Sequence, residues 1–445
     1  MNVTAIVGGT IVTPSGTVRA DLLIRDGKVA AMGSSPAGAG GALPAAGCYV
    51  LPGGVDPHTH VMSAPALAAA AAARGGTTTA LSFTSPRPGE SDLDCLLRSR
   101  AELDARGTAI DIGLHAALYD PDHVSAADLD AVRHAGAAAI KVFLAYPELG
   151  ILCSDTRLAE LMAIARQLGL IVAVHCENAR LIEASEEEAV AAGSSSGARI
   201  FADTRPPEAE YEAVTQVLAS ASRTGAVCYL VHLSTEGAVR QVRLARATGR
   251  PAVFAEACTH HLLFDDHSYE RPDAGRFLVA PPLRPGRHVE ALWAGLADAT
   301  IDAVGSDHCQ ARTLTAGRLA AAGHSHAYGL AGIGARLPLL LSAAAARGLA
   351  ITQVARLAAE NPARAFGHYP RKGALLPGSD ADVVIFDPAG ETALPADGLG
   401  DGTGDSVYAG RVLRGRIRAV LQRGRLIVSE SELIDGEPAG AFLAA

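Results

Sequence analysis

The sequence predicts an α/β fold: a (β/α)8 TIM-like barrel carrying a small β-sandwich domain built from both chain termini. Three observations lead there. Short apolar runs alternate with Ala/Leu/Glu/Arg-rich helical stretches across the middle of the chain, the pattern of a parallel sheet. Eight such runs fit in about 300 residues, the size of a (β/α)8 barrel. Both ends have a different, β-rich and turn-punctuated texture, and domain termini often lie close together. The expected division is residues 1–50 with 366–445 for the sandwich and 51–365 for the catalytic barrel.

The N-terminal unit reads as Thr4–Val7, Thr10–Val12, Asp21–Ile24 and Val29–Met32. The last two are joined by Asp26-Gly27-Lys28, a hairpin signal because Gly accepts positive φ. The same texture returns at Gly378-Ser379-Asp380-Ala381-Asp382, which leads into Val383–Phe386. It continues where Ala419–Leu421 faces Arg425–Val428 across Gln422-Arg423-Gly424. Between these ends the barrel strands are expected at Tyr49–Leu51, Thr77–Phe83, Ile110–Leu118, Ala139–Leu144, Ile171–Val174, Val227–Val231, Ala252–Ala255 and Ile301–Val304. Helical stretches include Asp155–Leu168, Pro207–Thr224 and Arg287–Ala299. A doubly wound sheet is the weaker alternative, because no G-x-G-x-x-G follows the first strand.

Composition narrows the function. The 445 residues include 38 basic and 47 acidic side chains, a formal net charge of −9. Without Lys/Arg runs, such a chain is poorly suited to nucleic acid or anionic lipid. Hydrophobic residues at 49% and charged residues at 19% suit a large buried core. Seven dispersed cysteines, with no C-x-x-C, read as reduced thiols of a cytoplasmic protein. The N-terminus has no basic region typical of a secretory signal. The longest apolar stretches, Ala64–Ala73 and Leu337–Ala346, fall short of the ~18 residues of a membrane helix.

In a barrel, reactive side chains belong at the C-terminal ends of strands. His58 and His60 follow the first run, Lys141 sits in the fourth, His175 ends the fifth, His232 the sixth and Asp307 the eighth. Imidazole and carboxylate suit Zn²⁺ and similar divalent ions. In an extended H-x-H both rings face one side, because strand side chains repeat every two residues. Each residue alone has an ordinary reading: a hydrogen-bonded strand-end histidine, or a helix N-cap for Asp307. Lys141 is the exception, since a lysine between Ile140 and Val142 is costly inside a barrel unless its charge is removed or paired. Five strand-end coincidences in barrel order favour a joint site.

Several motifs then resemble one family, the cyclic amidohydrolases of the hydantoinase/dihydropyrimidinase branch. They are Pro52-Gly53-Gly54-Val55-Asp56-Pro57-His58-Thr59-His60, Gly75-Gly76-Thr77-Thr78-Thr79, Ile140–Tyr146, and Val174-His175-Cys176-Glu177-Asn178. Thr204-Arg205-Pro206-Pro207-Glu208, Ala280-Pro281-Pro282-Leu283-Arg284, Gly305–Cys309, Asn361-Pro362-Ala363 and Gly378–Asp382 continue the series. The similarity spans nearly the whole chain, in order. It implies a binuclear metal centre, with His58, His60 and Asp307 on one ion, His175 and His232 on the other, and a CO2-carboxylated Lys141 bridging them. It further implies that Asp307 moves the proton of the attacking water and that Tyr146 donates a hydrogen bond to the developing oxyanion. The implied assembly is a homotetramer or homodimer, and the implied product an N-carbamoyl amino acid.

The ring itself is read from local differences. Dihydroorotase-like members have an arginine two residues past the H-x-H; Met62 stands there and cannot pair with a carboxylate. Only 14 residues separate His60 from Gly75, shorter than this branch usually shows. Ala280 replaces a frequent serine, and Tyr328 stands near a ring-contacting asparagine. His260, in Cys258-Thr259-His260-His261, resembles dihydroorotase or allantoinase wording and is a further candidate substrate contact. A 5-substituted hydantoin or 5,6-dihydropyrimidine is thus the expected substrate, with an allantoinase-like or other cyclic ureide hydrolase as alternative. A non-catalytic tetrameric scaffold is disfavoured because all six ligand positions hold competent residues. The second H-x-H, His324 and His326, is read as a solvated loop, and Glu186-Glu187-Glu188 as the exposed face of a helix start.

Overall fold

A computed structural model describes residues 2–35, 40–194, 197–249, 252–309, 312–314, 326–400 and 406–445, with backbone alone for 312–314, 326 and 327. Eight strands form the barrel: β1 (Gly54–Thr59), β2 (Thr77–Phe83), β3 (Asp111–Ala117), β4 (Ile140–Phe143), β5 (Val172–His175), β6 (Cys228–Leu230), β7 (Val253–Cys258) and β8 (Ala303–Gly305). They neighbour one another in chain order, and each consecutive pair is parallel. Closure comes just beyond β8. The Asp307 N–H donates to the His58 carbonyl at 3.0 Å, and the His60 N–H to the His308 carbonyl at 2.8 Å. The seam that closes the barrel is therefore also the seam between two proposed ligand segments.

One expected barrel strand belongs elsewhere. Tyr49–Pro52 pairs with Val383–Phe386 and with Thr10–Ile11 in the terminal sheet, and the first barrel strand is the Gly54–Thr59 motif itself. Its Gly, Asp and Pro have weak β propensity, which hides it in the sequence. Pro57 has no N–H to give the ladder, and the β1–β2 register slips between Asp56 and Thr59. Burial on both faces compensates, since all six residues are buried.

Helices between the strands carry local signals that explain their bounds. Ser154 accepts a hydrogen bond from the Arg157 N–H at the start of Asp155–Leu168, and Gly169 closes it at φ 71°. Pro207 opens the helix Pro207–Thr224 at its first turn, where a missing N–H costs nothing. The apolar stretches near 65 and 337 become the helices Pro65–Arg74 and Arg336–Ala346. Among the described residues no helix is long and apolar enough to cross a membrane.

The termini assemble as expected into facing β layers. A seven-stranded sheet joins Thr10–Thr13, Gly16–Arg19 and Tyr49–Pro52 to Val383–Ala393, Val412–Gln422, Arg425–Ser429 and Glu432–Leu433. A four-stranded sheet comes from the N-terminal segment alone. Ile6, Leu22, Val29, Val50, Val383 and Leu421 pack between them in one core. Both predicted hairpin turns have two consecutive left-handed residues: Asp26 (φ 50°) with Gly27 (73°), and Arg423 (45°) with Gly424 (73°). That backbone matches the strand twist.

Three smaller expectations change. Glu186 lies well inside the helix Ala179–Ala191, and it is buried 3.6 Å from Arg205. His324 lies outside the described residues, and the His326 side chain is not described. The backbone of His326–Tyr328 does pair as a strand with Arg312–Leu314, although this Ala- and Gly-rich stretch carries no strand signal. The C-terminal segment, expected to be a plain tail, runs beside the lower half of β3: Ile112 donates to Ala441 at 3.1 Å, and Leu443 to Ile112 at 2.9 Å.

Candidate active site

The barrel places His58, His60, Lys141, His175, His232 and Asp307 around one pocket at the C-terminal ends of the strands. Alternation along β1 points both H-x-H rings the same way, and both reach the Asp307 Oδ1: His58 Nε2 at 3.0 Å, His60 Nε2 at 3.3 Å. The donor atoms of these three lie within 4.8 Å of one another. Across the pocket, His175 Nδ1 and His232 Nε2 are 2.9 Å apart. Lys141, only 2% exposed, lies with its Nζ 4.8 Å from the Phe83 ring centroid and 5.3 Å from that of Phe143.

Two of these positions hold left-handed backbone without glycine, His232 at φ 40° and Asp307 at 46°, and so does Tyr146 on the pocket wall at 66°. Such conformations are uncommon for side chains of this size and cluster where a site over-determines the chain. Asp307 and His232 stand just beyond strand ends, where the chain must turn while its side chain still faces the pocket.

Electrostatics separates the two sides. Burial alone would depress His58, but Asp307 and Glu256 flank it and raise its pKa to about 9. Burial would raise Asp307, yet His58 and His60 hold its carboxyl well below the ordinary range. Burial lowers His175, and it drives His232 far below the normal imidazole value, helped by the facing His175. Neutral imidazole is the form that binds a metal, so this pair is ready for a cation. Burial also brings Lys141 down to about 8. The imidazoles and carboxylate thus fit divalent ions: neutral imidazoles on one side and an ionised carboxylate between two imidazoles on the other, with Lys141 between them lacking a carboxylate partner within ion-pair distance among the described residues.

The rest of the wall includes Tyr119, Phe143, Tyr146, Leu149, Ile151, Val279, Ala280, Cys309, Tyr328 and Gly329. Tyr146, Ala280 and Tyr328, the proposed substrate contacts, are thus among the residues that line the pocket. Met62 does not line the pocket; it sits in the turn Val61–Ser63 and packs on the barrel core. Nor does His260, which lies fully buried in the short helix Thr259–Leu263 against the His261 ring.

Sequence reasoning missed the carboxylates behind the ligands. Glu256 on β7 accepts from His58 Nδ1 at 2.8 Å, from the His232 N–H at 3.1 Å and from the Tyr229 hydroxyl at 2.9 Å. Glu177 pairs with His175 Nε2 at 2.8 Å. Asp56 accepts the Ser306 N–H at 3.0 Å and faces the fully buried Arg336 at 3.5 Å. Asp56 and Glu177 stand two residues from a ligand histidine, a signal available in the sequence; Glu256 has no such neighbour.

Known proteins share this architecture. The Amidohydrolase family model matches residues 49–426. A D-hydantoinase of Ralstonia pickettii is 34% identical, covering 98% of each chain. The D-phenylhydantoinase of Escherichia coli K12 is 33% identical over 98% of this chain and 97% of its own. The crystal structure of dihydropyrimidinase from Brevibacillus agri superposes with a TM-score of 0.89 at 31% identity, covering 99% of this chain and 98% of that one. With fold, strand-end constellation and full-length similarity in agreement, the chain belongs to the amidohydrolase family, in its hydantoinase/dihydropyrimidinase branch.

Proposed function

We propose that this hydrolase opens the ring of a 5-substituted hydantoin or a 5,6-dihydropyrimidine to give an N-carbamoyl amino acid. The observation that carries the reading is one pocket in which six metal-competent side chains meet a wall of aromatic and aliphatic residues. No arginine lines it among the described residues, so a substrate carboxylate has no cationic partner besides the metal site. That disfavours dihydroorotate. With His260 off the wall, the sequence feature that pointed to the allantoinase-like alternative does not reach the pocket.

Family membership implies a binuclear divalent metal centre. In our reading His58, His60 and Asp307 would hold one ion and His175 and His232 the other. Lys141, as a carboxylate formed with CO2, would supply the anionic ligand both need, and zinc is the ion this ligand mix suits. When bound, two such ions acidify water and polarise the ring carbonyl. The ionised Asp307 carboxylate takes the proton of the attacking water and returns it to the leaving ring nitrogen. Burial pushes the Tyr146 phenol well above its usual pKa, so it stays protonated and can donate to the developing oxyanion. Its ring lies 5.0 Å from that of His175. Phe143, Leu149, Ile151, Val279 and Tyr328 exclude bulk water and receive the substituent.

The seven cysteines are free and six are buried, which supports a cytoplasmic setting. Homotetramer or homodimer is the assembly we assign. The test is a ring-opening assay on metal- and bicarbonate-loaded protein with hydantoin, a 5-aryl hydantoin, dihydrouracil, allantoin and dihydroorotate. Turnover confined to hydantoins and dihydrouracil is expected. Turnover of dihydroorotate or allantoin alone would refute the substrate assignment, and silence with no metal bound would refute the site.

A further inference from the structure

Strand β7 supplies no proposed metal ligand, yet it buries a carboxylate beneath the site. Glu256 is fully buried. Its Oε1 receives His58 Nδ1 of β1 at 2.8 Å, the main-chain N–H of His232 just past β6 at 3.1 Å, and the Cys258 thiol of its own strand at 3.6 Å. Its Oε2 receives the Tyr229 hydroxyl of β6 at 2.9 Å. On the fourth side lies Gly305 of β8, two residues before Asp307, where an added Cβ would stand 2.9 Å from the Glu256 carboxyl carbon. The chain thus leaves a gap shaped for this carboxylate among three strands that lead to His58, His232 and Asp307.

We propose that Glu256 is a shared positioning residue for both metal subsites, an inference that rests on the metal assignment above. At His58, accepting from Nδ1 fixes the tautomer and leaves Nε2 to face Asp307 and an ion. Such an outer carboxylate also makes the ligand more basic. At His232 the same oxygen holds the main chain in its left-handed conformation, φ 40°, which aims the ring at His175. One group therefore ties the orientation of a ligand on each ion to the other. Glu177 makes the contrast, since its ring contact is to His175 alone and so serves one subsite.

The experiment is a two-step Zn²⁺ titration of apo protein under chelator competition, repeated with Co²⁺ to follow the d–d absorption of each step. Wild type, Glu256→Gln, Tyr229→Phe and Glu177→Gln are compared, with thermal midpoints recorded alongside. Glu256→Gln keeps the shape and removes the charge; it is expected to weaken both steps by about 10–100-fold and to shift both Co²⁺ spectra. Glu177→Gln should weaken one step only. Tyr229→Phe, which leaves the carboxylate but frees Oε2, should shift both steps in the same direction by less, and it decides the matter if Glu256→Gln does not fold. A lower thermal midpoint with both affinities unchanged would overturn the proposal and leave Glu256 a purely structural carboxylate. A wild type that binds fewer than two ions would instead overturn the metal assignment, and this inference with it.

Discussion

Two lysines are buried in this molecule, Lys141 at 2% and Lys372 at 1% exposure, and the protein handles them in opposite ways. Lys372 sits where the barrel meets the terminal sandwich, its Nζ 2.5 Å from Asp111, 2.7 Å from Asp382 and 2.9 Å from Asp380. Burial would lower its pKa, but the three carboxylates outweigh burial and push it above the ordinary lysine value. Lys141 has no carboxylate within ion-pair distance among the described residues, only aromatic faces, and burial pulls it down to about 8. A buried cation with a full set of counter-charges is a fixed structural element. One without them is strained toward losing its proton, and a neutral amine is a nucleophile. Their positions agree with this: Asp111 opens β3 at the stability face of the barrel, whereas Lys141 lies at the chemistry face.

Replacing each lysine by methionine, close in volume, tests the contrast most strongly. Lys141→Met should abolish ring opening and the binding of two ions, with unfolding free energy unchanged or slightly higher, since exchanging an unpaired buried charge for an apolar group seldom costs stability. Lys372→Met strips Asp382 of its one ion-pair partner among the described residues and takes a cation from Asp111 and Asp380, which keep Arg423 and Lys28 with Arg371; it should cost about 3–5 kcal/mol, while folded protein still opens the ring. Denaturant unfolding and ring-opening rates on both variants give the four numbers needed. A Lys372→Met protein as stable as wild type, or a Lys141→Met protein that keeps two ions, would end the distinction.

The same pair shows what was legible beforehand. Lys141 stood out because Ile140 and Val142 flank it in a strand, so its burial, and the awkwardness of that burial, could be read from three residues. Lys372 follows another basic residue, Arg371, with no apolar flank to mark it; one partner, Asp111, is 261 positions away, a relation only the folded chain creates. Glu256 was missed for a similar reason, since its contacts run to β1, β6 and β8 while its own strand ends in no ligand. Conversely, Met62 was singled out by its place two residues past the H-x-H and His260 by the wording of Cys258–His261. A turn and a short helix rotate both side chains into packed regions. Periodicity located most strands and the helices, but the first barrel strand, full of Asp, Pro and Gly, was held by burial and not by propensity.

If Lys141 is the reactive member, its chemistry must titrate. Forming the carbamate joins the neutral amine nitrogen to the carbon of CO2 and releases one proton, so protonated lysine does not react. With a pKa of about 8, carboxylation of the apo protein at fixed dissolved CO2 should slow about tenfold per pH unit below that value and level off above it. The rate of appearance of a ¹³C-carbamate resonance reports this directly. The resonance should vanish in Lys141→Met and persist in folded Lys372→Met. A rate still climbing steeply through pH 9 and 10 would mean Lys141 is an ordinary lysine and its lack of carboxylate partners has no chemical consequence.

The smallest effect lies on the paired side, in acid. Burial would raise Asp380, but Lys372 and Lys28 overcome it and hold the carboxyl near 2, against 3.8 for the free group. A carboxyl with a depressed folded pKa binds fewer protons in the native state than in the unfolded chain. Its contribution is therefore complete above pH about 4 and lost as the pH falls toward 2. The shift corresponds to about 2 kcal/mol. Asp382 offsets part of this, because burial raises its pKa despite Lys372, so the net slope of the cluster must be shallower than Asp380 alone would give. Asp380→Asn should flatten the stability profile between pH 4 and 2 and leave Lys372 two carboxylates at neutral pH. Unfolding free energies of wild type and variant across that window decide it. Parallel profiles would show that Lys372 is held by Asp111 and Asp382 alone, and the contrast with Lys141 would then rest on two counter-charges instead of three.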